Sequence, residues 1–251
     1  MLYWKARFKA SAIHLGISCL IAACAALLVF GFWYPSPYDA IDGGRELFTL
    51  VVSVDVVLGP LITLAVFNLN KPRKELVMDF MVVGLIQLAG LYYGLWTVSA
   101  ARPVHLVFEV DRFKVVHAID IPADQLDQTP PGIRALPLLG PTALAMRPIQ
   151  PGERMAMASE ELRGTDLSTL PRLWQPYEEA KLRILMAASS VEALKRRYPD
   201  HRAEIDKAVA ATGRDPQQLL TLPMVARKAY WSVLLDARSA DIVGFLPLDS
   251  F

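Results

Sequence analysis

Two aspartates within apolar stretches of the sequence, Asp55 and Asp79, are the residues with the most evident chemical potential. Two carboxyl groups that share a proton form the catalytic pair of an aspartyl protease, and such a pair must lie at one depth in a membrane. Asp79 follows Glu75 by four residues, whereas Asp55 precedes Asn68 by thirteen. At a helical rise of about 1.5 Å per residue, their depths differ by about 14 Å. This spacing argues against a dyad, and we predict no catalytic residues and no enzymatic activity.

Asp55 lies in a stretch with further polar and helix-breaking residues. A carboxylate in hydrocarbon is costly, so Asp55 is expected to face protein or water rather than lipid. Pro60, directly after Gly59, is expected to kink the helix and to free a backbone carbonyl. Counted inward from the outer ends of their apolar runs, Asp55 and Gln87 differ in depth by about one turn and should face the same bundle interior. Two interpretations remain open. Asp55 is either a structural pin, meaning a buried polar residue whose hydrogen bonds fix the register of the helices, or an acceptor for the transmembrane helix of another protein.

Gly90 and Gly94 form a G-x-x-x-G motif in a later apolar run. This motif can dock another helix, but it is common, and a contact inside the bundle is the simpler interpretation. The candidate partner-binding residues are Asp55, Gly59, Pro60, Gln87, Gly90 and Gly94.

Other chemistry finds little support in the sequence. His105 and His117 have neither a cysteine nor an ordered acidic partner, so we expect sheet-surface residues and no metal site. No nucleophile elbow, phosphate loop or dinucleotide fingerprint occurs, and no cofactor is predicted. The net charge of +1 and the lack of a free-standing basic cluster argue against nucleic-acid binding.

The hydropathy pattern places these residues in a membrane anchor. The chain of 251 residues is 53% hydrophobic, and apolar runs at about 13–33, 47–67 and 76–99 are each long enough to span a bilayer. The first run is too long for a typical signal-peptide core, and two more runs follow, so we expect it to be retained. The aromatic sequence Phe32-Trp33-Tyr34 at its end is typical of an interfacial belt. We therefore predict a transmembrane domain over residues 1–101.

The distribution of basic residues predicts the orientation. Short segments with more lysine and arginine stay in the cytoplasm. Asp79 is expected to pair with Arg73 or Lys74 of the basic turn. The excess of lysine and arginine before the first run and in the second turn predicts a bacterial inner-membrane protein with a cytoplasmic N-terminus and a periplasmic C-terminal domain. The basic residues are Lys5, Arg7 and Lys9 before the first run, Arg45 in the first loop, and Lys71, Arg73 and Lys74 in the second turn.

Residues 102–251 are enough for a separate folded domain. Alternating β-branched residues predict a hairpin around Asp111-Arg112 and a final hairpin over 226–246. Helices are predicted over 153–163, over 191–198 after a Ser189 cap, and after an Asp200 cap; the segment 177–187 is predicted as a helix or, because of its apolar run, a strand. The predicted fold is thus an α+β membrane protein: a three-helix transmembrane bundle followed by an extracytoplasmic α+β domain with a mostly antiparallel sheet.

The order of the motifs resembles that of the TfpX/TfpZ family of type IV pilin accessory proteins over roughly the first half of the chain. The resemblance implies a chaperone-like inner-membrane protein that works with the major type IV pilin, without catalysis, in pilus assembly or dynamics. The matching residues are His14-Leu15, Ser18, Trp33-Tyr34-Pro35, Pro37, Asp55, Gly59-Pro60, Asp79, Gln87, Gly94, Arg102-Pro103 and Asp111-Arg112-Phe113.

The predicted contacts follow from this resemblance and from the spans. They are the pilin, the lipid bilayer and a second copy through the transmembrane helices. A pilin awaiting assembly presents one apolar helix in the membrane and a globular head outside, and this chain offers a surface at each level. The alternative function is a periplasmic ligand-sensing or binding module that acts through a membrane partner. A deep pocket with converging polar groups in the outer domain would favour it.

Overall fold

A computed structural model describes residues 2–67 and 71–251. Residues 68–70 of the predicted basic turn lie outside the described residues. The chain divides into two compact units, Met1–Ala101 and Arg102–Phe251. Each unit has its own architecture.

The first unit contains three helices long and apolar enough to cross a membrane: Trp4–Trp33, Gly44–Val66 and Arg73–Ala100. At about 1.5 Å per residue each exceeds the roughly 30 Å hydrocarbon core. Most of their apolar side chains are exposed in the isolated chain, which fits contact with lipid. The elements are α1 (Leu2–Leu28) with a π-helical turn (Val29–Trp33), α2 (Tyr38–Ile41), α3 (Gly44–Ser53), a π-helical turn (Val54–Leu58), α4 (Gly59–Val66) and α5 (Arg73–Ala100).

Pro60 explains why the second span is not one regular helix. A π-helical turn, Val54–Leu58, joins α3 to α4 immediately before it. In an i to i+5 pattern the carbonyl of Asp55 would meet the N–H of residue 60, which proline lacks. The Gln87 side chain donates to that carbonyl instead, at 3.4 Å. The predicted freeing of a carbonyl by Pro60 is confirmed.

Tyr34 closes one end of the bundle rather than marking a lipid interface. It is fully buried, and its hydroxyl donates to the carbonyl of Val98 at 3.3 Å. Its ring lies so close to Gly44 that a Cβ there would stand 2.5 Å from Cδ1. The predicted aromatic belt is therefore wrong for Tyr34, because this ring fills the space between spans; Phe32 remains exposed.

The second unit is built on one mixed sheet, with strand order β4-β3-β1-β2-β6-β7-β8 and β5 paired to β6. The pairs β1–β3 and β2–β6 are parallel, and the other pairs are antiparallel. This confirms the predicted fold class. The strands are β1 (Pro103–Phe108), β2 (Phe113–His117), β3 (Thr142–Met146), β4 (Trp174–Pro176), β5 (Ser189–Ser190), β6 (Leu219–Val225), β7 (Tyr230–Asp236) and β8 (Ile242–Leu246).

The helices of this unit occur where the sequence predicts them, but two caps differ. Ser190, not Ser189, accepts the N–H of Ala193, because Ser190 is the residue directly before the helix that begins at Val191. His201, not Asp200, is the residue directly before the helix that begins at Arg202, and both belong to a preceding 3-10 turn. The helices are α6 (Arg154–Leu162), α7 (Lys181–Ala187), α8 (Val191–Arg197) and α9 (Arg202–Ala211).

Strand β6 is a central strand that the sequence did not predict. It contains Pro223, a residue that normally argues against a central strand. One edge of β6 pairs with β7. Along the other edge, β6 pairs with β5 through Leu220 and Thr221 and with β2 through Met224 and Val225. Pro223 lies between these two short pairings, so its missing N–H breaks neither.

Candidate functional site

Polar residues from each of the three spans meet near the middle of the bundle. Asp55 is the midpoint of the span Gly44–Val66. His14 of α1, Thr63 of α4 and Gln87 of α5 complete the group. Because buried polar groups in lipid need partners, such a group is expected to be linked by hydrogen bonds.

One chain of hydrogen bonds crosses all three spans. His14 Nε2 lies 2.7 Å from Gln87 Oε1, and His14 Nδ1 lies 2.5 Å from Thr63 Oγ1. Since the amide oxygen of Gln87 only accepts, we assign the imidazole proton to Nε2, so that Nδ1 accepts from the Thr63 hydroxyl. The Gln87 amide then donates to the carbonyl of Asp55. A neutral imidazole satisfies every bond in this chain.

Gly59 makes this approach possible. A Cβ at Gly59 would stand 2.0 Å from Gln87 Nε2 and 3.1 Å from His14 Nε2. A second link runs nearby, where the Ser11 hydroxyl donates to the carbonyl of Pro60 at 2.8 Å. The Gly59-Pro60 pair thus supplies both the space and an acceptor that hold the first span on the second.

The carboxyl group of Asp55 has a different environment from its carbonyl. Among the residues that the structure describes, it makes no hydrogen bond or ion pair. It lines an open groove of about 450 Å³ between α1 and α5. The groove is otherwise almost entirely apolar, with Asp55, Gln87, His14 and Ser18 as its polar residues.

The predicted partner-binding residues fall into two groups. Asp55 and Gln87 face the same interior, as predicted, and they touch through the Asp55 carbonyl. Gly59 and Pro60 are buried. The glycines of the G-x-x-x-G motif face the second span: a Cβ at Gly94 would stand 2.3 Å from Val51 Cγ1, and one at Gly90 would stand 3.9 Å from Asp55 Oδ1. Partner binding through these residues stays a prediction.

Three polar residues of the bundle, His14, Thr63 and Ser11, were missed from the sequence as members of this group. His14 was noted only as part of a family motif, and Thr63 and Ser11 were not considered. The available signal was the depth of polar residues: His14 and Thr63 lie within apolar runs, and Ser11 lies just before the first one. Comparing the depths of all such residues, rather than the acids and amides alone, would have suggested the group.

Basic residues contact the end of the second span and the start of the third span, which the second turn connects. Lys71 Nζ lies 2.5 Å from Asp79 Oδ2, and Arg7 Nε donates to the carbonyl of Phe67 at 2.6 Å. The predicted pairing of Asp79 with Arg73 or Lys74 is wrong, because the Asp79 carboxylate forms its ion pair with Lys71. Asp79 thus serves an ion pair at the end of the span.

Both histidines of the first hairpin are buried, which corrects the predicted surface position. His105 Nε2 lies 3.0 Å from the carbonyl of Ala135, Nδ1 lies 2.7 Å from Thr142 Oγ1, and the ring packs edge-on against Trp174. Burial lowers the pKa of His105 to about 4, although its hydrogen bonds act in the opposite direction. These two bonds suit a neutral imidazole and let it occupy the core.

The second unit, residues 102–251, also has an open cleft of about 430 Å³. Its charged groups pair with one another: Lys114 with Asp166, and His117 and Arg227 with Asp120. Burial raises the pKa of Asp120, but the hydrogen bonds from His117 and Arg227 outweigh this and hold the pKa below its usual value. Within the described residues no group of three or more potential metal ligands occurs.

Comparison with known proteins places the chain in a family. A protein of Dichelobacter nodosus named "Fimbrial assembly protein, serogroup I" is 33% identical over 246 residues, which cover 97% of this chain and 95% of that protein. The chain belongs to the fimbrial assembly protein family.

Other members of the fimbrial assembly protein family give the same result. The serogroup E1 protein of the same organism is 32% identical over 97% of this chain and 95% of its own length. The protein of serogroups C1 and C2 is 42% identical over 120 residues, 48% of this chain and 92% of that protein. Residues 2–43 match the family described as Fimbrial assembly protein FimB. No solved structure matches the chain.

Proposed function

We propose that this member of the fimbrial assembly protein family is a non-enzymatic inner-membrane factor that binds type IV pilin subunits and assists pilus assembly or dynamics. The observation that carries the proposal is the match to proteins named for fimbrial assembly over nearly the whole length of both chains. The finer assignment to TfpX/TfpZ accessory proteins belongs to this proposal.

The structure supports the proposal through the distribution of its surfaces. Three apolar helices provide an anchor at the depth where the apolar helix of an unassembled pilin would lie. The polar chain from Thr63 to Asp55 fixes the register of these helices. The outer unit supplies a separate folded surface for the pilin head.

The alternative function, ligand sensing by the outer unit, receives less support. The charged side chains of its 430 Å³ cleft are engaged with one another rather than directed at an open space. A ligand would have to displace these pairs. The structure therefore favours protein binding.

Copurification tests the proposal. The tagged chain is expected to retain the major type IV pilin when membranes are solubilised in mild detergent, whereas an equally expressed, unrelated three-span protein does not. Deletion of the gene should also reduce surface piliation. Intact tagged protein without pilin enrichment would reject the proposed pilin binding, and normal piliation after deletion would reject the role in assembly.

A further inference from the structure

The first and third spans leave an open groove between them. α1 packs mainly on α4, whereas α5 packs on both α3 and α4, and α1 and α5 make few direct contacts with each other. They are joined by the His14–Gln87 hydrogen bond, whose two residues line the groove, and they also meet at one end, where Tyr34 reaches Val98. Away from that contact the groove extends from Ala10 to Ala22 on α1, about 18 Å of helix.

The walls of the groove suit a helix. Isoleucines line the α1 side at Ile13, Ile17 and Ile21, and small residues occur at Ser18 and Gly84. A Cβ at Gly84 would meet nothing within 4 Å. Small side chains allow close approach between helices in lipid, where packing rather than the hydrophobic effect drives association.

The Asp55 carboxyl group in the groove indicates which kind of molecule can bind there. The Asp55 carboxyl lines it and makes no hydrogen bond or ion pair to any described residue. A carboxyl group in hydrocarbon requires a partner. A lipid acyl chain has no donor to offer, whereas a helix can place a donor side chain opposite Asp55. The complement of this groove is a mostly apolar helix with one hydrogen-bond donor near its middle.

We propose that this groove receives the transmembrane helix of one pilin subunit, with Asp55 accepting a hydrogen bond from that helix. The inference rests on the proposed pilin binding and adds its location. It assigns the docking face to α1 and α5, apart from Gly59 and Gly94, which are filled by contacts within the bundle.

Photo-crosslinking in cells that make the major pilin tests this location. A photoreactive residue at Ile17 or Leu88, in the groove, should form an adduct with the pilin. The matched controls are Leu15 and Ile86, which are exposed on the same two helices but lie outside the groove. These should give at least tenfold less adduct.

A second variant blocks the groove without disturbing the bundle. Gly84→Leu places a side chain in the groove and should reduce copurified pilin at least tenfold. Gly16→Leu is the control, since a Cβ at Gly16 also meets nothing within 4 Å and Gly16 does not line the groove. Both variants should accumulate to the wild-type level, and crosslinking in the otherwise unaltered protein gives an independent result.

The outcomes separate the groove from the function. Pilin that copurifies but crosslinks only from Leu15, Ile86 or the outer unit would overturn the groove while leaving pilin binding intact. Groove adducts to a second copy of this chain, or to lipid alone, would also overturn it. If no pilin copurifies with the intact protein, the proposed function fails and the inference fails with it.

Discussion

His14 and Gln87, which lie 73 residues apart on the first and third spans, are joined by a hydrogen bond of 2.7 Å in the middle of the bundle. These two spans have few other direct contacts near this depth, because a groove separates them. The bond is therefore an interhelical link, called the cross-tie below, between the first and third spans next to the groove. Gly59 of the second span provides the space for it.

A double-mutant cycle should detect this cross-tie. We expect His14→Ala and Gln87→Ala to be coupled by about 1 kcal/mol, in the range of interhelical hydrogen bonds in membranes. Unfolding of the protein in bicelles is the measurement. The control cycle combines His14→Ala with Thr97→Ala, because Thr97 bonds its own helix. Additive effects in the His14–Gln87 cycle would contradict the assigned bond.

Gly59→Ala should destabilise the bundle. The new methyl group would collide with Gln87 Nε2 and break the polar chain, an effect of roughly 1–3 kcal/mol. Accumulation in the membrane and thermal stability in detergent are the measurements. Gly16→Ala is the matched control, since its methyl group meets open space. Equal stability of the two variants would show that Gln87 does not approach Gly59.

Asp55 substitutions distinguish a structural pin from a contact residue. The Asp55 side chain bonds no described residue, so Asp55→Asn and Asp55→Leu should both accumulate within about 0.5 kcal/mol of wild-type stability. Pilin capture should persist in Asp55→Asn and be lost in Asp55→Leu. Asp79→Leu, which removes the pair with Lys71, should leave capture unchanged. Poor accumulation of Asp55→Leu would instead establish the structural pin.

His105 should make the outer unit sensitive to acid. The unfolded chain binds the proton near pH 6.5 and the folded chain only near pH 4, so the unfolded state gains protons first as the pH falls. The stabilisation is complete above about pH 7 and should fall by about 2 kcal/mol by pH 5. Thermal unfolding of the full-length protein in detergent measures this.

The matched controls for this pH dependence are two glutamine substitutions. His105→Gln should flatten the profile between pH 7 and 5, because an amide does not titrate there. His201→Gln, at an exposed position beside Glu204, is the control for the histidine-to-glutamine change itself. Identical slopes for wild type and His105→Gln would assign the acid sensitivity to other groups.

The orientation of the chain can be tested with reporter fusions. Alkaline phosphatase, which is active only outside the cytoplasm, should be active when fused after Phe251. A fusion after Glu75, in the first turn of α5, should be inactive because the basic residues on either side of the start of that helix are predicted to remain in the cytoplasm. The reverse pattern would place the outer unit in the cytoplasm and reject the predicted localisation.

Most of the architecture was predictable because it depends on properties that are local in the chain. Length and hydropathy determine which segments can span a membrane, and the missing N–H of Pro60 disrupts its helix wherever that helix packs. Alternating side chains in the first hairpin predict β1 and β2 for the same reason. Strand β6 escaped prediction because Pro223 is tolerated only through its position between two pairings.

The sequence by itself determined three candidate spans, a second unit of the α+β class and a carboxyl group near the middle of the second span. Only the tertiary structure decided that His14 bonds Gln87, that His105 is buried, and that Asp55 faces a groove. The physical reason is that a span is apolar on nearly every side, so its sequence does not reveal its rotation or its height against its neighbours. Those depend on close contacts such as Gly59 with Gln87, which exist only once all three helices are packed.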